Sequence, residues 1–282
     1  MVSIAGLRPG QLLPEHVVRA RNFATASENK IHDNAVARQY GFAGGLVPGV
    51  TVYAYMTRPV VDALGKDWLA HGQMTSRFLK PFYEGELVHV RARVAEGGDD
   101  LARIEIEACN DAGVACAVGT ATLPAHPFVA PDIAAFPTAP LPRPRPPVSE
   151  EALRAIGVLG SLNTVYDTKV KGPRFCDEMG DDWGGYVGPD AVGHPGVLIR
   201  YANFILAENV QLNPWIHVSS DVIHFGLVRD GDDISTRGRV VDLFERKGHK
   251  FVELDLLMVA NEVRPVMHIR HTAIYDVRKV AN

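Results

Sequence analysis

Residues 71–94, HGQMTSRFLKPFYEGELVHVRARV, align without a gap against residues 217–240, HVSSDVIHFGLVRDGDDISTRGRV, at a constant separation of 146 positions. Gly85 meets Gly231, Arg91 meets Arg237, Arg93 meets Arg239 and Val94 meets Val240. In the first segment Val88, Val90, Ala92 and Val94 alternate with His89, Arg91 and Arg93, the period of two expected of a strand with one buried face. Self-similarity at a fixed spacing means that one supersecondary unit is used twice.

The repeat extends outward on both sides. Upstream, Pro48-Gly49-Val50 corresponds to Pro195-Gly196-Val197, and each opens an apolar helix. The first carries Val50, Val52, Tyr53, Tyr55, Met56, Val60, Val61 and Leu64 with few polar residues between them, which predicts burial on most sides. Pro59 lacks an amide donor and predicts a kink there. The second helix runs through Leu198, Tyr201, Phe204 and Ile205. Downstream, Arg103–Cys109 reaches the turn Asn110–Gly113 and returns through Val114–Leu123 as a hairpin, and Phe251–Val259 with Pro265–Tyr275 repeats it. His16–Asn22 reads as a leading strand. Nine prolines between Pro124 and Pro147 bar helix or sheet interior and mark a semi-stiff linker. The organisation is therefore a first unit over residues 1–123, a linker over 124–150 and a second unit over 151–282.

Composition narrows the function classes. With 282 residues and 46% hydrophobic content the chain can fill a sizeable core without metals or disulfides. Its net charge of −4 comes from interspersed residues, so no basic face is offered to nucleic acid. Cys109, Cys116 and Cys176 form no CxxC pair, which fits a reducing cytoplasm. The leader MVSIAGLRPGQLLPEH has no apolar core of signal-peptide length, and no window has the apolar length of a membrane span. His249, His268 and His271 lie on alternating strand segments and read as structural, with no metal-ligand spacing. No glycine-rich phosphate loop and no Ser-His-Asp signature is present.

Residues 27–32, SENKIH, precede residues 41–49, GFAGGLVPG. A buried helix wrapped by an antiparallel sheet and duplicated in one polypeptide resembles the α+β double hotdog architecture. SENKIH resembles the D-x-N-P-x-H motif of MaoC-like and (R)-specific enoyl-CoA hydratases, which is followed by G-F and a G-x-x-x-H-G helix start. Asn29 and His32 occupy the motif's asparagine and histidine positions. Ser27 stands where the family has its aspartate, Lys30 replaces the proline, and Pro48 replaces the histidine of the helix start. The second copy has CDEMGDDWGGY in place of this loop, with no histidine before His194.

The resemblance implies reversible hydration of a 2-enoyl thioester, giving a 3-hydroxyacyl thioester, on CoA or acyl carrier protein. His32 would act as base, with Glu28 or Asp33 supplying the carboxylate and Ser27 and Asn29 positioning water. Asp33 equally suits the N-cap of a short helix over Asn34–Tyr40. Amides at Gly49 and Val50 would take the charge developing on the carbonyl oxygen. Arg77 and Lys80 fall where the family contacts phosphate or pantetheine. No cofactor is implied beyond the thioester carrier, and no metal. The acidic run Asp177, Glu178, Asp181 and Asp182 beside Trp183 reads as a polar cover over a degenerate second site. Exposed sheet edges favour a homo-oligomer, such as a dimer of pseudo-dimers. Two rivals keep the fold: thioester hydrolysis, and an acyl-thioester-binding subunit without catalysis.

Overall fold

The computed structural model describes residues 6–279. The first five residues of the leader segment lie outside that range. Among the described residues ten strands form one antiparallel sheet: β1 (His16–Arg19), β2 (Gln73–Phe78), β3 (Leu87–Glu96), β4 (Leu101–Cys109), β5 (Ala115–Pro124), β6 (Leu162–Val165), β7 (Ile216–His224), β8 (Asp233–Arg246), β9 (His249–Ala260) and β10 (Arg264–Asp276). Their order is β1-β3-β4-β5-β2-β7-β10-β9-β8-β6, so each half repeats one topology and the halves join at β2 and β7. Thr75 faces Asp221 across that seam, and these two residues are themselves 146 positions apart. A pseudo-two-fold axis therefore passes through this pair.

The separation of 146 holds well beyond the aligned segment. Residues 16–19 pair with 87–90, and residues 162–165 pair with 233–236 in the same register. The Val47 amide donates to the Phe82 carbonyl at 2.9 Å, and the Gly193 amide donates to the Val228 carbonyl at 2.8 Å. This corrects the match made on PGV. Pro48 is the counterpart of His194, not of Pro195, because both sit immediately before a helix that the same backbone bond positions.

Among the described residues five α-helices complete the fold: α1 (Asn34–Gln39), α2 (Gly49–His71), α3 (Glu150–Ile156), α4 (Lys171–Met179) and α5 (Pro195–Asn209). The side chains of Tyr53, Met56, Val60 and Trp68 on α2 are buried in the main core, which they share with Ile199, Ile205 and Leu206 on α5. Full burial of such a side chain contributes roughly 1.5–3 kcal/mol. Pro59 does not break α2. The departure comes at Gly65, whose φ of 57° and ψ of −147° are open to glycine and strained for other residues. The missing amide of Pro59 removes one hydrogen bond from a turn that is packed on its neighbours, and that packing holds the helix together.

The proline-rich segment is anchored rather than free. Phe136 packs on Leu257 and Val259, on the sheet face opposite the main core. Pro147 bridges to Gln211, and Arg145 donates to the Ala207 carbonyl at 2.7 Å. His268 donates to Asp255 at 2.6 Å on that outer face, and His271 meets the Ser220 hydroxyl at 2.9 Å in the interior. His249 accepts from the Arg278 amide at 3.1 Å. Each of these three histidines thus has a partner in the fold.

Candidate functional site

The chain between β1 and α2 folds back under its own glycines. Asn34 Oδ1 accepts from the Gly45 amide at 2.8 Å, and Asn22 Nδ2 donates to the His32 carbonyl at 2.9 Å. A Cβ on Gly45 would overlap that carbonyl, so the segment closes over His32 only with glycine there. Gly45→Ala is expected to destabilise the fold by about 3 kcal/mol or more, since overpacking against backbone has little room to relax. Denaturant titration checks this, and a shift in the His32 resonances would report the displaced loop. Asp33 caps α1 by accepting from the Ala35 and Val36 amides, both at 2.9 Å.

His32 is prepared as a neutral base. Its Nδ1 lies 2.7 Å from the Leu46 carbonyl and therefore carries the proton, which leaves the lone pair on Nε2. Burial lowers the imidazole pKa below its ordinary value, and the Leu46 carbonyl opposes this only in part. Asn29 Nδ2 approaches Nε2 at 3.3 Å. The same carboxamide clamps the second unit: Nδ2 donates to the Trp215 carbonyl at 3.0 Å, and Oδ1 accepts from the Trp215 amide at 3.1 Å. The base is thus tied to the start of β7 from the other copy.

Two open clefts meet at His32, with cavity volumes of about 230 and about 250 Å³. Asn29, His32, Pro48, Asn203 and Trp215 line both, forming a waist between them. The first cleft is apolar, with Phe42, Phe78, Phe82, Phe251 and Ile274, and has Lys80 on its wall. The second is lined by Phe23, Phe175, Phe204, Arg145 and Arg200. Gly49 lines the first and Val50 the second, so the start of α2 spans the waist. Pro48 gives α2 no side-chain cap, and among the described residues neither the Gly49 nor the Val50 amide makes a hydrogen bond. These are two free donors at the positive end of a long helix.

The second copy closes the same position. His194 Nδ1 accepts from the Gly196 amide at 2.9 Å, and Nε2 donates to Asp181 Oδ2 at 3.0 Å. Phe175 and Tyr186 cover the imidazole at ring distances of 4.8 and 4.3 Å. Asp181 also receives Arg58 Nη1 from α2 at 3.1 Å. Burial acts against the Asp181 charge, but the hydrogen bond from His194 and the nearby Arg58 outweigh it and hold the pKa below the ordinary value. Asp181 is therefore a buried tie between the units and not part of a polar cover, whereas Asp182 is exposed.

The other expected site residues are distributed as follows. Ser27 lines the second cleft and donates its hydroxyl to the Asn29 carbonyl at 3.2 Å. Glu28 has a side chain 82% exposed that pairs with Arg145 at 3.1 Å, and it makes no bond to His32. With Asp33 committed to its cap, neither carboxylate reaches the imidazole as the motif's aspartate was expected to. Arg77 is exposed on the outward side of β2 and lines neither cleft, which separates it from Lys80. Asn203 and Trp215 were not anticipated. Asn203 is the one carboxamide on an otherwise apolar stretch of α5, a signal present in the sequence, and its Oδ1 is buried without a partner. Trp215 acts through its backbone and leaves no such signal. Among the described residues no cluster of His, Cys, Asp or Glu is placed to hold a metal, and no helix is long and apolar enough to cross a membrane.

Comparison with solved structures identifies the architecture. A Mycobacterium tuberculosis protein with a double hotdog fold superposes with a TM-score of 0.61 at 15% identity, over 95% of this chain and 96% of that one. The fold is the double hotdog. Within it, the chain is similar to a protein described as a MaoC domain dehydratase from Chloroflexus aurantiacus, with a TM-score of 0.66, 12% identity and 96% of each chain covered. It is also similar to one described as an oleoyl thioesterase from Lactobacillus plantarum, with a TM-score of 0.55, 12% identity and coverage of 95% and 98%. No family model and no curated protein matches the sequence of this double hotdog chain.

Proposed function

We propose that the protein is an enoyl-thioester hydratase that also runs the reverse dehydration. The observation that carries this reading is the Nε2 lone pair of a neutral His32 at the waist, met by Asn29 Nδ2 at 3.3 Å and by no carboxylate, in clefts shared with a helix start that has two unbonded amides. With the thioester carbonyl at the Gly49 and Val50 amides, Nε2 removes a proton from water as the water oxygen bonds to C3 of the enoyl group. The electron pair of the C2–C3 double bond moves toward the carbonyl, giving an enolate whose oxygen charge the two amides stabilise. The imidazolium then returns the proton to C2, so the net change is addition of H and OH across the double bond. Asn29 holds the imidazole and Asn203 offers a further polar contact at the waist. The chain runs this chemistry with one imidazole and no neighbouring carboxylate.

The test is loss of the enoyl-thioester absorbance with crotonyl-CoA and longer 2-enoyl-CoAs. Ser27→Asp places a carboxylate in the second cleft beside Asn29, where the resembled hydratases carry theirs. Its expected effect is a rise in kcat of about tenfold or more, within the range of a well-placed acid–base group. An unchanged or lower rate in a folded variant would count against the reading. Hydrolysis is the competing reaction for the same base and amides, and free thiol released from saturated acyl-CoAs would identify it.

A further inference from the structure

We infer that the second cleft is the carrier side of the site and that its mouth binds a nucleotide, the 3′,5′-bisphosphorylated adenosine of CoA. This rests on the thioester reading of the waist. A thioester centred on His32 must send its two arms into different clefts, because the two clefts meet only around the five residues that line both. The apolar cleft suits an acyl chain. The other continues past Phe175 and Glu178 into a surface groove between α4 and α5 whose walls include Phe23, Arg200, Phe204 and Lys171.

Two features of that mouth point to a base and phosphates together. Phe23 and Phe204 are 42% and 43% exposed, leaving apolar ring surface in water that a planar base would cover. The cations beside them divide into two sets. Arg145 is paired with Glu28 at 3.1 Å and Arg174 with Glu178 at 2.9 Å, so both are neutralised. Lys171 and Arg200 have no carboxylate partner among the described residues. The Arg200 guanidinium instead lies over the rings of Phe204 at 5.7 Å and Phe175 at 5.9 Å. A guanidinium stacked on an aromatic ring and left without a carboxylate is free to bind phosphate oxygens through its edge. A carrier-protein arm brings a phosphate but no base, so only the CoA ester would lay a planar ring on the exposed phenylalanines.

The experiment is isothermal titration of the full chain with adenosine 3′,5′-bisphosphate, alongside the KM for crotonyl-CoA and for crotonyl-pantetheine. Wild type is expected to bind the bisphosphate and to show a KM at least about tenfold lower for the CoA ester. Arg200→Gln with Lys171→Gln, and separately Phe204→Ser, are expected to weaken bisphosphate binding about tenfold each, the size of one lost charge-assisted bond or stacked ring. These positions are at the surface, and an unchanged melting midpoint would show that the variants are folded. Absence of bisphosphate binding, equal KM values for the two esters, variants that bind like wild type, or a crotonyl carrier protein preferred over crotonyl-CoA would each overturn the assignment. Bisphosphate binding is read without turnover. A chain that binds it through these residues yet hydrates no enoyl-CoA would sink the hydratase reading alone, and one that hydrates both esters equally would sink the nucleotide site alone.

Discussion

His32→Ala is expected to lower kcat/KM for 2-enoyl-CoA hydration by about 10³-fold, since general acid–base groups typically contribute 10²–10⁴. Both proton transfers pass through Nε2, and no carboxylate bonded to His32 stands ready to replace it. The variant exposes the Leu46 carbonyl to loss of one hydrogen bond, a change of about 1 kcal/mol, so it remains folded at assay temperature. The pH profile supplies a second readout. Burial lowers the imidazole pKa below 6.5, and the base works only when neutral, so kcat/KM is flat at neutral pH and falls on an acid limb that lies below pH 6.5. An acid limb centred above that value, or full activity in His32→Ala, would remove His32 from the mechanism.

Asp181→Ala is expected to give a large loss of stability, about 3 kcal/mol, because the buried His194 Nε2–H and the Trp183 amide both lose their acceptor, while Arg58 keeps Asp62 and Asp182. Asp181 is 6% exposed and His194 1% exposed, and Arg58 of α2 shares the carboxylate. The change therefore strikes the junction of the two units. Its pH signature follows from the lowered pKa. A carboxyl group with a folded pKa below 3.8 stabilises the fold above the unfolded value near 3.8, and that contribution is lost as pH falls through the folded pKa. Urea titrations should show wild type losing stability below about pH 4 more steeply than Asp181→Asn. Equal slopes, or a variant as stable as wild type at pH 7, would show that the tie contributes little.

Much of the fold was legible because a duplicated unit writes its period into the chain. The strands from Val88 to Val94, both hairpins and the two apolar helices follow from alternation and spacing, and each is present. Two details were misplaced for local reasons. PGV occurs in both copies, but in the second it is shifted one position by His194, which takes the pre-helix place that Pro48 holds in the first. The break in α2 was read at its proline, whereas burial of Thr57, Pro59, Val60 and Val61 holds that turn and the bend falls at Gly65.

The site was legible only in part. Asn29 and His32 line both clefts, Gly49 the first and Val50 the second, whereas Arg77 faces outward and Glu28 is drawn to Arg145 from the linker. That last contact spans 117 positions, and no local pattern announces it. Trp215 is likewise 186 positions from the carboxamide it receives.

By itself the sequence determined that one sheet-and-helix unit is used twice and that only the first copy has a histidine in its loop. Periodicity and turn chemistry act between neighbours, so they can be read from order alone. Tertiary structure decided which helix start is open and which is capped, where two clefts meet, and which charges neutralise one another. Those outcomes depend on side chains brought together from distant parts of the chain, where burial and a few ångströms of distance set whether a group is a tie, a base or a free donor.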